Sequence, residues 1–382
     1  MEKKLADPNL RLIVSSSALE LGDKIDEHLL DMFHLNKEEY TFKLPIIERF
    51  FEDGHMKVEL HDTVRGMDVY TLTDVCNYSI EYQMRGFTNH MSPNDWFTQM
   101  EDIIGACNNQ PKRINTIMPL LYGGRQHRRN LRENLFCGKK LGILDDFYHV
   151  SNIITDDAHD KGVEHALRNA EFINLFSSDD LLTAFIESTP EDQLKKFVIV
   201  APDNGAVNRR NIYLNSLNSE YVYMQAGSFV KQRDYNVVEG GKNPIIGHEY
   251  CGSDNLDGCT AIITDDMISS GGSMFTCMDE LIKRGVKNIY VMVTFALFTQ
   301  GIEEFRKYYE QGLFSRVFTT NLTYIPEEYK NEPWLTVCNC SEIFADLIYK
   351  IHNDEPISPI LRKDGECIKL LEKKILKPGD VK

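Results

Sequence analysis

Asp265 and Asp266 follow an apolar, β-branched run, Ile262-Ile263-Thr264, and precede a stretch of small residues, Ser269-Ser270-Gly271-Gly272-Ser273. A strand that ends in paired carboxylates and runs through a Ser/Gly loop into a helix offers two kinds of chemistry. Backbone N–H groups at the helix start suit a phosphate, and the carboxylates suit ribose hydroxyls or a metal ion. A plain helix cap, with Ser269 or Ser270 at the N-cap, is the competing reading. The acidic pair directly before the loop favours a phosphoribosyl site. Lys231 and Arg233 are alternate residues of an expected strand and so would share a face. They could clamp phosphate, although on spacing alone an exposed charged hairpin is the favoured reading. His159 and Asp203 each follow an apolar run. Arg125 and Gln126 lie beside Arg128, Arg129 and Arg132, which locally reverse an acidic field and could draw in anions.

The elements that must position these residues read as strand then amphipathic helix, repeated. Strands are expected at 11–15, 57–61, 68–75, 114–121 and 152–155, with a helix over 18–33. The second half shows strands at 197–201, 261–264 and 288–294. A helix starts near Ala206, and another runs from Gly271-Gly272 to about Arg284, where Gly285 ends it. This is an α/β pattern of largely parallel sheets, in which ligands sit beyond the carboxyl ends of the strands. Residues 78–94 and 235–256 lack clean periodicity and read as loops.

The chain has 382 residues, enough for two or three domains at about 150 residues each. It is 42% hydrophobic and 26% charged, the profile of a soluble globular protein. A net charge of −16 argues against nucleic-acid and membrane partners. The 9 cysteines are odd in number. The Cys338/Cys340 pair is too closely spaced for a usual zinc knuckle, so buried, reduced thiols are expected. The N-terminal residues lack the apolar core of a signal peptide. The longest apolar-looking run, 289–298, is too short to span a bilayer. A cytoplasmic location follows as the expectation.

Seven motifs, in order, resemble those of the ribose-phosphate pyrophosphokinase (PRPP synthetase) family within the phosphoribosyltransferase superfamily. Leu12-Ile13-Val14-Ser15-Ser16-Ser17 resembles its opening strand and turn, and Thr63-Val64-Arg65-Gly66-Met67-Asp68-Val69-Tyr70 its SVRGxDVY stretch. Tyr122-Gly123-Gly124-Arg125-Gln126 is similar to YxRQ, with one extra Gly, and Ile153-Ile154-Thr155-Asp156-Asp157-Ala158-His159 to ITxDLH. Val200-Ala201-Pro202-Asp203-Asn204-Gly205 resembles SPDxGG, Lys231-Gln232-Arg233 the KxR catalytic flag, and Thr320-Asn321 a late TN turn.

The resemblance implies two phosphoribosyltransferase-like domains, each a mostly parallel sheet flanked by helices: an ATP-binding domain over 8–174 and a ribose-5-phosphate domain over 175–353. A charged tail covers 354–382. It implies transfer of the β,γ-diphosphoryl group of MgATP to ribose 5-phosphate. Lys231 and Arg233 would be catalytic, and His159 and Asp203 would approach Mg²⁺. Phe51, Asp53, His55, Arg125 and Gln126 would hold ATP. Asp265, Asp266, Ser269, Ser270, Gly271, Gly272 and Ser273 would hold ribose 5-phosphate. The adenine loop of the family reaches a neighbouring subunit, so a homo-oligomer, a hexamer of dimer units, is implied. Four residues depart from the family pattern: His55 for Glu, His127 and Asn130 for two acidic residues, and Ser269 for Asp. These departures motivate an alternative, a non-catalytic regulatory relative. A transferase that consumes PRPP with a base is a third reading, disfavoured by the ATP motifs of the first half.

Overall fold

The structure is a computed structural model. It describes residues 3–6, 9–129, 132–233, 245–361 and 365–376, with the backbone alone for 231–233 and 245–248. The chain divides into two compact units.

The first unit comprises Met1–Ser177, Asn321–Tyr324 and Asn339–Arg362. Its centre is a five-stranded sheet of β1 (Leu10–Val14), β4 (Asp68–Leu72), β7 (Arg113–Ile117), β8 (Asn152–Asp156) and β9 (Glu171–Leu175), in the order β9-β8-β7-β4-β1. Every neighbouring pair is parallel. All residues of β1, β4 and β8 are buried. Burial on both faces explains why these strands show no strict alternation of apolar and polar residues. Helix α1 (Leu19–Met32) buries Leu21, Ile25 and Leu29, the residues that gave the helical spacing.

Two antiparallel hairpins stand apart from this sheet: β2 (Ile46–Phe50) with β3 (Met56–Leu60), and β5 (Glu81–Met84) with β6 (Phe87–His90). The strand expected at 57–61 therefore exists, but it pairs within a hairpin. The stretch 78–94, expected as a loop, holds the second hairpin. It leads into α2 (Pro93–Cys107), whose start is fixed by a reciprocal Ser92–Asp95 capping box.

The second unit comprises Ser178–Thr320, Ile325–Cys338 and Lys363–Lys382. Its seven strands are β10 (Lys196–Ala201), β11 (Tyr223–Arg233), β12 (Ile245–Cys251), β13 (Thr260–Ile268), β14 (Asn288–Ala296), β15 (Arg316–Thr320) and β16 (Leu335–Cys338). The order is β12-β11-β10-β13-β14-β15-β16, antiparallel only between β11 and β12. Residues 245–251, expected within a loop, thus form the edge strand, and 234–244 lie outside the described residues. β13 outruns the strand expected at 261–264. Its pairing with β10 stops at Ile263, but pairing with β14 continues to Ile268 opposite Ala296. Asp265 and Asp266 therefore sit on the strand, beyond its inner neighbour, rather than after it. Helix α3 (Ser178–Ser188), α4 (Val207–Ser216) and α5 (Gly272–Lys283) belong to this unit.

The units do not break at the expected 174/175 and 353/354 boundaries. Helix α6 (Ser341–His352) belongs to the first unit, where its last residue meets Asp68: His352 Nδ1 lies 3.1 Å from Asp68 Oδ2. Helix α7 (Glu366–Ile375) is part of the second unit rather than a loose tail. Cys367, Leu371 and Ile375 are buried, Glu372 accepts from Ser219, and Lys374 donates to the carbonyls of Ile186 and Glu187 at the end of α3. All nine cysteines are free; Cys251 is exposed and the others are buried or half-buried. No described helix is long and apolar enough to cross a membrane.

Candidate active site

In the first unit, Phe51, Asp53 and His55 occupy the tip of the β2–β3 hairpin. Phe51 donates its N–H to the His55 carbonyl at 2.7 Å, and the His55 N–H donates to Asp53 at 3.1 Å. That N–H holds the Asp53 carboxyl below the ordinary range. Phe51 is 54% exposed. The tip turns at Gly54, whose φ of +92 places it in the left-handed region, and a Cβ there would collide with the Met84 sulfur. Phe50 stacks on Tyr82 at 4.5 Å with rings 6° apart. The second hairpin therefore buttresses the first.

Arg125 and Gln126 lie in the turn that follows β7. The Gln126 N–H closes on the Gly123 carbonyl at 2.9 Å, and its side chain donates to Asn134 at 2.7 Å. Arg125 is exposed. Asn130 lies outside the described residues.

His159 follows β8. Asp156, fully buried, accepts from the Ser177 hydroxyl at 2.7 Å and fastens the strand end. Asp157 then takes a left-handed φ of +45 and turns the chain outward to an exposed His159. The His127 ring stands 5.5 Å from the His159 ring, centre to centre, and its Nε2 faces Asp160 at 3.5 Å. The other nitrogen of His127, Nδ1, is buried without a hydrogen-bond partner. Burial pushes the His127 imidazole below its ordinary pKa, against the pull of Asp160.

In the second unit, Asp203 follows β10 and caps its own turn by accepting from the Gly205 N–H at 2.9 Å. Asp265 accepts from the Asp266 N–H at 2.9 Å and lies 3.8 Å from the Arg209 guanidinium. Burial, and then the neighbouring Asp266 charge, raise the Asp265 carboxyl well above the usual range. Arg209 opposes this shift and Asp203 adds to it. These four residues form one electrostatic cluster.

The loop after β13 starts α5 without a side-chain cap. Its N-cap is Gly271, not Ser269 or Ser270, which removes the plain-cap reading. Gly271 has φ +85, and a Cβ there would come within 2.7 Å of the Phe305 ring. Ser269 is tied to Thr299, whose N–H donates to the Ser269 carbonyl at 2.9 Å. Ser270 and Gly272 are exposed, while Ser273 is half-buried. A helix start free of a capping side chain, next to two carboxylates, can meet an anion and hydroxyl groups at once.

Lys231 and Arg233 lie on β11, opposite His248 and Ile245. The register shifts between Gln232 and Arg233, so the two-residue period behind the same-face expectation is irregular there. Sequence reasoning passed over Arg209; a basic residue in the first turn of the helix after Asp203 was the available signal. It registered His127 only as a departure, because adjacency to His159 requires two loops to meet.

The N-terminal domain of ribose phosphate pyrophosphokinase matches residues 10–138, and the phosphoribosyl transferase domain matches residues 178–330. Ribose-phosphate pyrophosphokinase of Gloeobacter violaceus is 25% identical over 361 residues, 94% of this chain and 95% of that protein. The Haemophilus influenzae protein of the same name is 23% identical, over 92% of this chain and 98% of its own length. The crystal structure of phosphoribosylpyrophosphate synthetase from Mycobacterium smegmatis shares the fold, with a TM-score of 0.68 at 21% identity, covering 91% of this chain and all of that one. With both domain models matched in order and relatives aligned nearly end to end, the chain belongs to the ribose-phosphate pyrophosphokinase family.

Proposed function

We propose that this chain is a ribose-phosphate diphosphokinase. The anomeric oxygen of ribose 5-phosphate bonds to the β-phosphorus of ATP, the bond from that phosphorus to the α,β-bridging oxygen breaks, and the hydroxyl proton leaves. The products are 5-phosphoribosyl 1-diphosphate and AMP. The observation that carries this reading is the extent of the likeness to proteins named ribose-phosphate pyrophosphokinase, 94% of this chain against 95% of the Gloeobacter violaceus relative. It takes in both units, whereas a transferase that only consumes PRPP needs no ATP-binding domain.

On this reading the 5-phosphate meets the start of α5 through Ser269, Ser270, Gly271, Gly272 and Ser273, and the ribose hydroxyls meet Asp265 and Asp266. Phe51 stacks on adenine, Asp53 and His55 meet its edge, and Arg125 and Gln126 hold the ATP phosphates and ribose. Lys231 and Arg233 meet the charge that develops on the diphosphoryl group in transfer. His159 and Asp203 are each assigned to approach magnesium. Such a sparse set fits a hard cation that arrives on nucleotide phosphates, and no three His, Cys, Asp or Glu side chains converge among the described residues. When bound, Mg²⁺ neutralises charge on the phosphate oxygens. The working form is a cytoplasmic homo-oligomer, a hexamer assembled from dimer units.

The test is incubation of the purified oligomer with ATP, Mg²⁺ and ribose 5-phosphate. AMP and PRPP should form in equal amounts. Absence of both across a range of Mg²⁺ concentrations refutes the proposal.

A further inference from the structure

We infer that the β5–β6 hairpin belongs to the nucleotide site: Tyr82 and Met84 are positioning residues that hold residues 51–55 in the shape that meets adenine. The inference rests on the assignment of Phe51, Asp53 and His55 to adenine in the reading above.

The tip of the β2–β3 hairpin needs outside support. β2 and β3 make a two-stranded sheet of their own, and a two-stranded hairpin by itself is marginal in water. Its root is held. Glu48 accepts from the Ser16 N–H at 3.2 Å, and Phe50, Met56 and Val58 pack against the core of the first unit. Beyond that root the tip closes on itself through the N–H groups of Phe51, Gly54 and His55, and it leaves Phe51 54% exposed. Those bonds shape the turn, but they do not aim it.

The second hairpin supplies the aim. Tyr82 and Met84 are alternate residues of β5 and share a face. Tyr82 stacks on Phe50, the residue before the tip, with ring centres 4.5 Å apart and planes 6° apart. Met84 reaches the turn itself, where its sulfur occupies the space that a side chain on Gly54 would need. An aromatic plane and an adaptable thioether thus grip the tip at two points. The hairpin that carries them is rooted in turn. The N–H of the buried Met91 donates to the Ile80 carbonyl at 2.9 Å across its base, and the Trp96 indole of α2 donates to the Asn77 carbonyl at 2.6 Å. A packed path therefore runs from α2 through β5 to the adenine loop. Gln83 lies between the two gripping residues but points from the opposite face, where it is exposed and donates to Thr88 at 2.8 Å.

The experiment uses the full-length oligomer with a non-hydrolysable ATP analogue and Mg²⁺ as the probe, titrated by calorimetry, together with steady-state kinetics for both substrates. A loop that keeps its binding shape only part of the time binds more weakly by that fraction. Tyr82→Ala and Met84→Ala should each weaken the analogue by about 5- to 10-fold and raise KM for ATP in step. KM for ribose 5-phosphate and kcat at saturating ATP should stay near wild type. Tyr82→Phe, which keeps the stacked ring, and Gln83→Ala, on the opposite face, should both bind as wild type does. Wild-type affinity in Tyr82→Ala and Met84→Ala overturns the inference. An equal loss in Gln83→Ala, or a Tyr82→Ala defect that spreads to ribose 5-phosphate, marks general loosening and overturns it too. Met84→Ala decides the matter if Tyr82→Ala does not fold. Phe51→Ala, measured in parallel, isolates the underlying reading. Wild-type affinity in that variant removes the adenine assignment and the inference with it, whereas a weakened Phe51→Ala beside unaffected Tyr82→Ala and Met84→Ala removes the role of the second hairpin alone.

Discussion

At Gly271 a single methyl group is enough to disturb the loop assigned to phosphate. The residue has φ +85, and an added Cβ would lie within 2.8 Å of two Phe305 ring atoms. The left-handed conformation alone costs a residue with a Cβ about 1–2 kcal/mol. Gly271→Ala should therefore lower stability by at least about that amount and raise KM for ribose 5-phosphate. Denaturant unfolding and steady-state kinetics read the two effects, and a wild-type KM would show that the loop does not meet the phosphate. Lys231→Ala should act on a different quantity. A cation that meets charge only as it develops contributes to the transition state, so kcat should fall by about 10²–10³-fold with little change in KM. Ser269→Ala removes one donor among several and should cost about 1 kcal/mol, expressed mainly in KM. Near wild-type kcat in Lys231→Ala would remove β11 from the catalytic role.

The connection that leaves β4 shows how an element can carry a pH dependence. Asp74 is buried and accepts from the N–H groups of Cys76 and Tyr324 and from the Thr323 hydroxyl. Desolvation outweighs these bonds and raises its pKa to about 6, from 3.8. The folded state therefore holds this proton in a window where the unfolded state has lost it. Its contribution to stability is fully present below the lower value and is lost as pH rises to about 6. The loss amounts to about 3 kcal/mol at 1.36 kcal/mol per unit. Asp74→Asn has no such proton, so the stability gap between wild type and this variant should shrink by about that much between pH 4 and 7. Urea titrations across the range measure it, and a gap independent of pH would contradict the assignment.

Across the whole molecule, both units are assembled from discontinuous stretches of chain, so neither is a fragment that can be cut out by sequence. The first unit takes back Asn321–Tyr324 and Asn339–Arg362. A fragment ending at Ser177 loses the Thr323 and Tyr324 donors to Asp74 and the His352 contact to Asp68. It also loses Tyr349, whose ring lies 4.9 Å from Phe33. Asp68 and Asp74 are each under 4% exposed, and a buried carboxylate stripped of partners costs several kcal/mol. The fragment 1–177 should therefore fail to give a cooperative unfolding transition, while the same stretch joined through linkers to 321–324 and 339–362 should recover one. Calorimetry of the two proteins distinguishes them, and a sharp transition in the short fragment would contradict the argument.

The α/β class, the parallel sheets and the positions of the main chemical motifs were legible in the sequence because each depends on local pattern. Apolar runs mark doubly buried strands such as β10, and the Asp265-to-Ser273 stretch marks a strand, a loop and a helix start within a dozen residues. Tertiary structure decided what local pattern does not encode. The second hairpin looked irregular because its strands are short and largely exposed, so no buried face imposes a clean period on them. β13 extended through Asp265 and Asp266 because β14 continues to pair with it, a choice made by a neighbour distant in sequence. The return of 339–362 to the first unit and of α7 to the second rests on buried carboxylates and apolar faces whose partners lie more than a hundred residues away. The His127–His159 pair has the same origin. Each imidazole is visible in the sequence, but only the packing of two loops brings their rings within 5.5 Å of each other.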